Sequence, residues 1–246
     1  MPKVSDLKVK IFADGADYDR IVALSQNPLI QGFTTNPALM RKAGIRDYEA
    51  FARRVIAAVP DRPVSLEVFA DDFSTMACQA QTIQSWGPSV NVKIPVCTTA
   101  GTFCGPLIRQ LSAVGVKVNV TGVMTPDQVE RIAECLGSTP SIVSVFAGRI
   151  ADTGVDPVPI MQRSLDILRP LPNVELIWAS PREVLNIFQA DAIGVHIITV
   201  TADLLAKLHL VGKELDAYSL ETVTMFHADA AAAGFSISLD PGLAAA

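Results

Sequence analysis

The chain has 246 residues and a formal net charge of −5; half of its residues are hydrophobic and 18% are charged. Such a composition supplies a large core and excludes a disordered chain, and with no basic run it argues against nucleic acid as a main partner. Cys78, Cys97, Cys104 and Cys135 form no CxxC pair, and none is spaced with a histidine as metal ligands would be, so reduced thiols in a cytoplasmic protein without metal are expected. Residues 1–10 carry no signal-peptide pattern, and no apolar run reaches membrane-spanning length.

Strand-like and helix-like segments alternate along the chain. Strands are expected near 9–14, 31–35, 64–70, 90–96, 116–123, 142–147, 174–180 and 193–200. Helices are expected around 17–26, 47–58, 73–85, 103–114, 126–136, 158–168, 182–188 and 202–208, with a last one near 218–233. Thr125-Pro126-Asp127 and Ser180-Pro181-Arg182 each set a capping hydroxyl before a first-turn proline, which marks helix starts. About eight strand–helix units predict an α/β chain folded as a (β/α)₈ TIM barrel. A doubly wound sheet is the alternative, weakened by the absence of a GxGxxG or Walker loop. No linker splits the chain, so residues 1–235 are expected to form one barrel domain with its C-terminal helix, followed by a tail over 236–246.

The strands share a second pattern. In Val90-Asn91-Val92-Lys93-Ile94-Pro95-Val96 the valines and Ile94 fall on one face, and Asn91, Lys93 and Pro95 on the other. Ser65 and Glu67, Asn119 and Thr121, Ser144 and Phe146, and Thr34 and Asn36 alternate in the same way, and the first strand ends on Asp14. In a closed barrel Asp14, Asn36, Glu67, Lys93, Thr121 and Ser144 would converge at the carboxyl ends of the strands. The set is chemically coherent: Lys93 as an amine nucleophile, Asp14 and Glu67 to move protons, and amides and hydroxyls for a polyhydroxylated substrate. Arg149, Ser180 and Arg182 follow later strands and suit a phosphate. Each residue also has a plain structural reading: Asp14 as a strand-end cap, Glu67 as an ion-pair partner of Lys93, the arginines as surface residues. His196 reads as a core histidine, Cys97 as a buried inert thiol, and the sequon at Asn119-Val120-Thr121 as an accident of a core strand.

Five segments carry a resemblance: Lys10-Ile11-Phe12-Ala13-Asp14, Gly32-Phe33-Thr34-Thr35-Asn36-Pro37, Val92-Lys93-Ile94-Pro95-Val96, Val145-Phe146-Ala147-Gly148-Arg149-Ile150 and Ala179-Ser180-Pro181-Arg182. They resemble the signature segments of the transaldolase family in its short bacterial form. The resemblance implies a (β/α)₈ enzyme of carbohydrate and pentose phosphate metabolism. Such an enzyme needs no cofactor and transfers a dihydroxyacetone unit between sugar phosphates through a Schiff base. It implies Lys93 as the Schiff-base lysine, Asp14 as the acid/base, and Glu67 and Thr121 as holders of the catalytic water. Asn36 and Ser144 would then contact the donor, with Thr34 and Phe146 in the same site, and Arg149, Ser180 and Arg182 would take the phosphate. Related fructose-6-phosphate aldolases carry glutamine at the position of Glu67 and tyrosine at that of Phe146; this chain has the transaldolase choice at both. Pro181 stands where many relatives have an aromatic residue. Homo-oligomers, as pentamers or decamers, are common among short relatives, and membrane partners are not expected. The competing expectations are an aldolase that releases free dihydroxyacetone and a non-catalytic sugar-phosphate-binding barrel.

Overall fold

The computed structural model describes residues 3–238; the expected tail over 236–246 lies for the most part outside them. Eight parallel strands close in chain order: β1 (Lys10–Asp14), β2 (Ile30–Thr34), β3 (Val64–Glu67), β4 (Val90–Pro95), β5 (Val118–Val123), β6 (Ser141–Val145), β7 (Val174–Trp178) and β8 (Ile197–Thr201). Lys10 to Asp14 pair with Ile197 to Thr201, which seals β1 against β8. The helices are α1 (Tyr18–Ser25), α2 (Pro37–Lys42), α3 (Tyr48–Ala58), α4 (Phe73–Gln84), α5 (Gly105–Ala113), α6 (Pro126–Ala133), α7 (Ala147–Ala151), α8 (Pro157–Leu168), α9 (Leu185–Ala192), α10 (Ala202–Ala206) and α11 (Leu215–Ala232). The fold is a (β/α)₈ barrel.

The strand alternation builds two environments. Val90, Val92 and Ile94 of β4, with Val118 and Val120 of β5, are fully buried in the main hydrophobic cluster between sheet and helices. The other face of each strand turns into the barrel, where Ser65, Lys93, Asn119, Thr121 and Ser144 are buried as well. Helix starts are fixed by side chains that accept a hydrogen bond from the first turn, among them Asp17, Asn36, Asp47, Asp72, Thr125 and Asp156.

Several local expectations are corrected. Helices α2 and α7 are short turns of helix inside loops, too brief to show a period in the sequence. The helix expected from 182 begins at Leu185 with no side-chain cap. Ser180 takes φ 58°, so it cannot serve as an extended N-cap, and Asn186 Oδ1 instead accepts from the N–H groups of Arg182 and Glu183. Strand β8 starts at Ile197 rather than 193 because Gly194, at φ 80°, closes the end of α9 and Val195 N–H still bonds back to Ala190. His196 is exposed rather than in the core; its Nδ1 accepts from Leu176 N–H. Cys97 is also exposed, one residue beyond the buried Val96.

Contacts divide the chain into two compact units. One, Ser5–Leu208, holds the barrel. The other holds α11, which has no buried residue and exposes Leu215, Tyr218, Leu220, Val223, Met225 and Phe226. No helix among the described residues is long and apolar enough to cross a membrane.

Candidate active site

A cavity of about 360 Å³ opens at the carboxyl ends of the strands. It is lined by Asp14, Thr34, Asn36, Glu67, Lys93, Asn119, Thr121, Ser144, Phe146, Arg149, Ser180 and Thr199, with Pro37, Ala38 and Ala179. Every sequence-expected site residue except Arg182 lies on its wall. A neighbouring cavity of about 500 Å³ shares Asp14 and is lined by Asp17, Arg20, Lys42 and Asp203, but offers no buried nucleophile.

Lys93 sits near the end of β4, 7% exposed. Its register opposite Glu67 sets the two side chains on adjacent strands facing the same way. The amine donates to Glu67 Oε2 at 3.1 Å and to the Thr35 carbonyl at 3.0 Å, which leaves one of three N–H positions for the cavity. A buried ammonium needs such partners, and the same confinement fixes the direction of its lone pair when the amine is neutral. The ion pair foreseen as a structural reading is therefore present, in the wall of a cavity.

Asp14 ends β1 opposite Thr34, whose hydroxyl donates to Asp14 Oδ1 at 2.8 Å. Burial raises the Asp14 pKa above its ordinary value; the Thr34 hydrogen bond and the nearby Lys93 charge oppose the shift, and Glu67 adds to it. A carboxyl whose pKa burial raises holds a proton more readily than a free aspartate, which suits an acid/base role.

Three strands are tied by one amide. Asn119 Nδ2 donates to Ser65 Oγ at 3.1 Å, and Ser144 Oγ donates to Asn119 Oδ1 at 2.7 Å. The Ser144 proton is thus committed, and its oxygen meets the cavity as an acceptor. Thr121 Oγ1 is buried with no hydrogen-bond partner and lines the same cavity, so it has capacity for water or a substrate hydroxyl. Asn36 caps α2 through Oδ1, which leaves its NH₂ free to face the cavity.

The far side of the cavity comes from the loops after β6 and β7. Arg149 is exposed, with its guanidinium 5.6 Å from the centre of the Phe146 ring. A Cβ on Gly148 would fall 1.5 Å from the Ser180 carbonyl oxygen, so only glycine lets α7 approach the left-handed Ser180 this closely. Arg182 is held outside the cavity by a forked ion pair with Asp152, its Nε lying 2.9 Å from Oδ1. Mutual hydrogen bonding raises the Arg182 pKa and lowers that of Asp152.

Sequence reasoning did not assign Asn119 and Thr199 to the site. The signal was there, since both lie on the inward face of alternating strands, Asn119 beside Thr121 and Thr199 between Ile197 and Thr201. Tyr48, whose hydroxyl meets the Glu67 backbone, lies on α3 and left no such signal. Among the described residues no group of three His, Cys, Asp or Glu side chains could hold a metal ion.

A (β/α)₈ barrel with a buried lysine, two carboxylates and a hydroxyl-rich wall at its carboxyl mouth is the frame of an enzyme acting on small polar substrates. The family model for transaldolase/fructose-6-phosphate aldolase matches residues 11–240, and the chain belongs to that family. A protein named probable transaldolase from Nitrosopumilus maritimus (strain SCM1) is 33% identical over 81% of this chain and 87% of its own length. Another of that name, from Syntrophobacter fumaroxidans (strain DSM 10017 / MPOB), is 35% identical over 78% and 85%. Among solved structures, dihydrodipicolinate synthase from Rhodopseudomonas palustris is similar with a TM-score of 0.55 and 16% identity, over 81% of this chain and 71% of that one. That likeness is one of fold alone.

Proposed function

We propose that the protein is a transaldolase that forms a Schiff base on Lys93. It would move a dihydroxyacetone unit from fructose 6-phosphate or sedoheptulose 7-phosphate to an aldose phosphate such as erythrose 4-phosphate. The observation that carries the reading is the Lys93 amine, buried at a cavity whose wall also holds the Asp14 and Glu67 carboxylates.

In this reading the neutral amine attacks the C2 ketone of the donor. The proton that the Lys93 ammonium shed to become the nucleophile returns to the carbinolamine hydroxyl, which departs as water and leaves an iminium. Glu67, beside the amine, and the unpartnered Thr121 hydroxyl hold that water. The Asp14 carboxylate takes the proton of the C4 hydroxyl as the C3–C4 bond breaks, and the bonding pair moves into the iminium to give an enamine. An aldehyde departs, the acceptor aldehyde enters, and C3 of the enamine attacks it while Asp14 returns its proton to the new hydroxyl. Water then hydrolyses the iminium and frees Lys93. No external electron sink is required, because the iminium takes up the charge. Asn36 and Ser144 hold donor hydroxyls near Thr34 and Phe146, and Arg149, Ser180 and Arg182 take the phosphate.

Phe146 cannot donate a proton to the held water, which favours an enamine that waits for an acceptor over one that is released. The same reading carries residues 1–235 as one barrel domain, a cytoplasmic location, a role in pentose phosphate chemistry and a homo-oligomer. The test is incubation with fructose 6-phosphate and borohydride followed by mass measurement of the protein. A gain of one reduced three-carbon or six-carbon adduct, confined to Lys93, is expected; an unmodified Lys93 would overturn the reading.

A further inference from the structure

Strand β3 loses a neighbour where the chemistry is concentrated. Its pairing with β2 ends at Thr34 opposite Ser65, whereas β4 continues alongside through Glu67 and Lys93. Backbone groups in a parallel ladder point alternately to either side. The N–H groups of Val64 and Val68 bond toward β4, to the carbonyls of Ser89 and Lys93, so the N–H and C=O of Glu67 face the side that β2 has vacated. A buried backbone group left without a partner costs about 1–3 kcal/mol.

One side chain supplies both partners. The hydroxyl of Tyr48, the first residue of α3, accepts from Glu67 N–H at 2.8 Å and donates to the Glu67 carbonyl at 3.0 Å. Its ring is gripped by Phe69, edge-on with centroids 4.6 Å apart, and by Trp86 at 6.0 Å. Burial pushes the phenol pKa far above its ordinary value, so the hydroxyl keeps the proton that it donates. Among the described residues the Glu67 carboxylate itself meets one partner, the Lys93 amine, and Glu67 is the last residue of its strand. The direction of that carboxylate therefore depends on how firmly the backbone beneath it is held.

We propose that Tyr48 is a positioning residue for the reaction: its hydroxyl stands in for the missing strand and holds the Glu67 backbone so that the carboxylate meets the Lys93 amine and the water of Schiff-base formation and hydrolysis. The proposal rests on the transaldolase reading above. A misplacement of about 1 Å at a reacting group can cost ~10²-fold in rate, so a bond pair remote from the substrate can govern kcat.

The experiment is a double-mutant cycle of Tyr48→Phe and Glu67→Gln, read as the single-turnover rate of Lys93 trapping from fructose 6-phosphate and as steady-state kcat and KM. Tyr48→Phe is expected to lower the trapping rate and kcat by roughly 10- to 100-fold, to leave the donor KM within about twofold, and to cost almost nothing further in the Glu67→Gln background. An equal loss in both backgrounds, or a loss confined to KM, would overturn the proposal in favour of a merely structural tyrosine. Should Tyr48→Phe melt below the assay temperature, 3,5-difluorotyrosine at position 48 keeps the ring shape and makes the phenol more acidic. Its oxygen is then a poorer acceptor for the Glu67 N–H, so kcat is expected to fall with the donor KM unchanged while the protein stays folded, and an unchanged kcat overturns the proposal. Failure to trap wild-type Lys93 at all would sink the underlying reading; normal trapping with Tyr48→Phe indifferent would sink this proposal alone.

Discussion

Two ion pairs, one in the cavity wall and one outside it, live in different media. Lys93 and Glu67 have side chains 9% and 20% exposed, while Arg182 and Asp152 are 48% and 53% exposed. At the first pair both groups are largely withdrawn from water, so each leans on the other, and Lys93 also on the fixed dipole of the Thr35 carbonyl. At the second pair water screens the attraction, and the bond can open at little cost. The buried pair therefore suits covalent chemistry, which needs one geometry, and the exposed pair suits a charged group that must arrive and leave.

The sharpest way to break this comparison is Lys93→Met. Methionine fills the stem volume and removes the amine, and Glu67 keeps access to water. Borohydride trapping and turnover are expected to vanish with the circular dichroism spectrum unchanged; more than trace activity in purified protein would exclude the Schiff base.

Asp14→Asn should still be trapped by borohydride but cleave the donor ~10²–10⁴-fold more slowly, because an amide cannot take the C4 hydroxyl proton. Normal turnover would reassign the base, with Glu67 next in line. The raised Asp14 pKa has two further consequences. The acid limb of wild-type kcat should lie above the ordinary aspartate range. And since the folded state holds this proton more tightly than the unfolded chain, the ionised carboxylate opposes folding at neutral pH. The asparagine variant should then melt higher than wild type at pH 7, with the difference shrinking as pH falls through the raised pKa toward the ordinary value. A lower melting temperature at pH 7 would contradict this.

At the exposed side, Arg149→Ala should weaken phosphorylated donors by about 1.5–3 kcal/mol relative to the unphosphorylated sugars, the usual scale of a charge-assisted hydrogen bond. Arg182→Ala should have the same sign and a smaller size, because Arg182 must first release Asp152. Paired KM values for phosphorylated and free sugars test both; equal losses for the two substrate types would make these arginines structural. The smallest change is Phe146→Tyr, which adds one hydroxyl to the polar cavity and should shift turnover toward free dihydroxyacetone. Fructose 6-phosphate consumption without acceptor measures it, and rapid consumption by the wild type would favour the aldolase reading.

Much of the barrel was legible because its signals are local. Period-two alternation in Val90 to Val96 separates a helix-facing row from an inward row within one strand, and needs no knowledge of other strands. The same logic turned Asp14, Glu67, Lys93, Thr121 and Ser144 inward, and chain order alone put their strand ends at one mouth once the barrel closed. Short helices such as α7 escaped because five residues carry no period.

Sequence by itself thus determined the eight-fold repeat, the inward face of each strand and the family. Tertiary structure decided which inward groups touch. The 3.1 Å approach of Lys93 to Glu67 follows from the register of β3 against β4. The amide of Asn119 meets Ser144 on the adjacent β6 and Ser65 on β3, two strands away, only because the closed barrel turns all three side chains into one interior. Arg182 faces Asp152 rather than the cavity because Ser180 turns left-handed against Gly148. Tyr48 reaches Glu67 because β2 stops early. Alternation is written within one segment, whereas distances between segments arise only when the sheet closes and its backbone groups must all find partners.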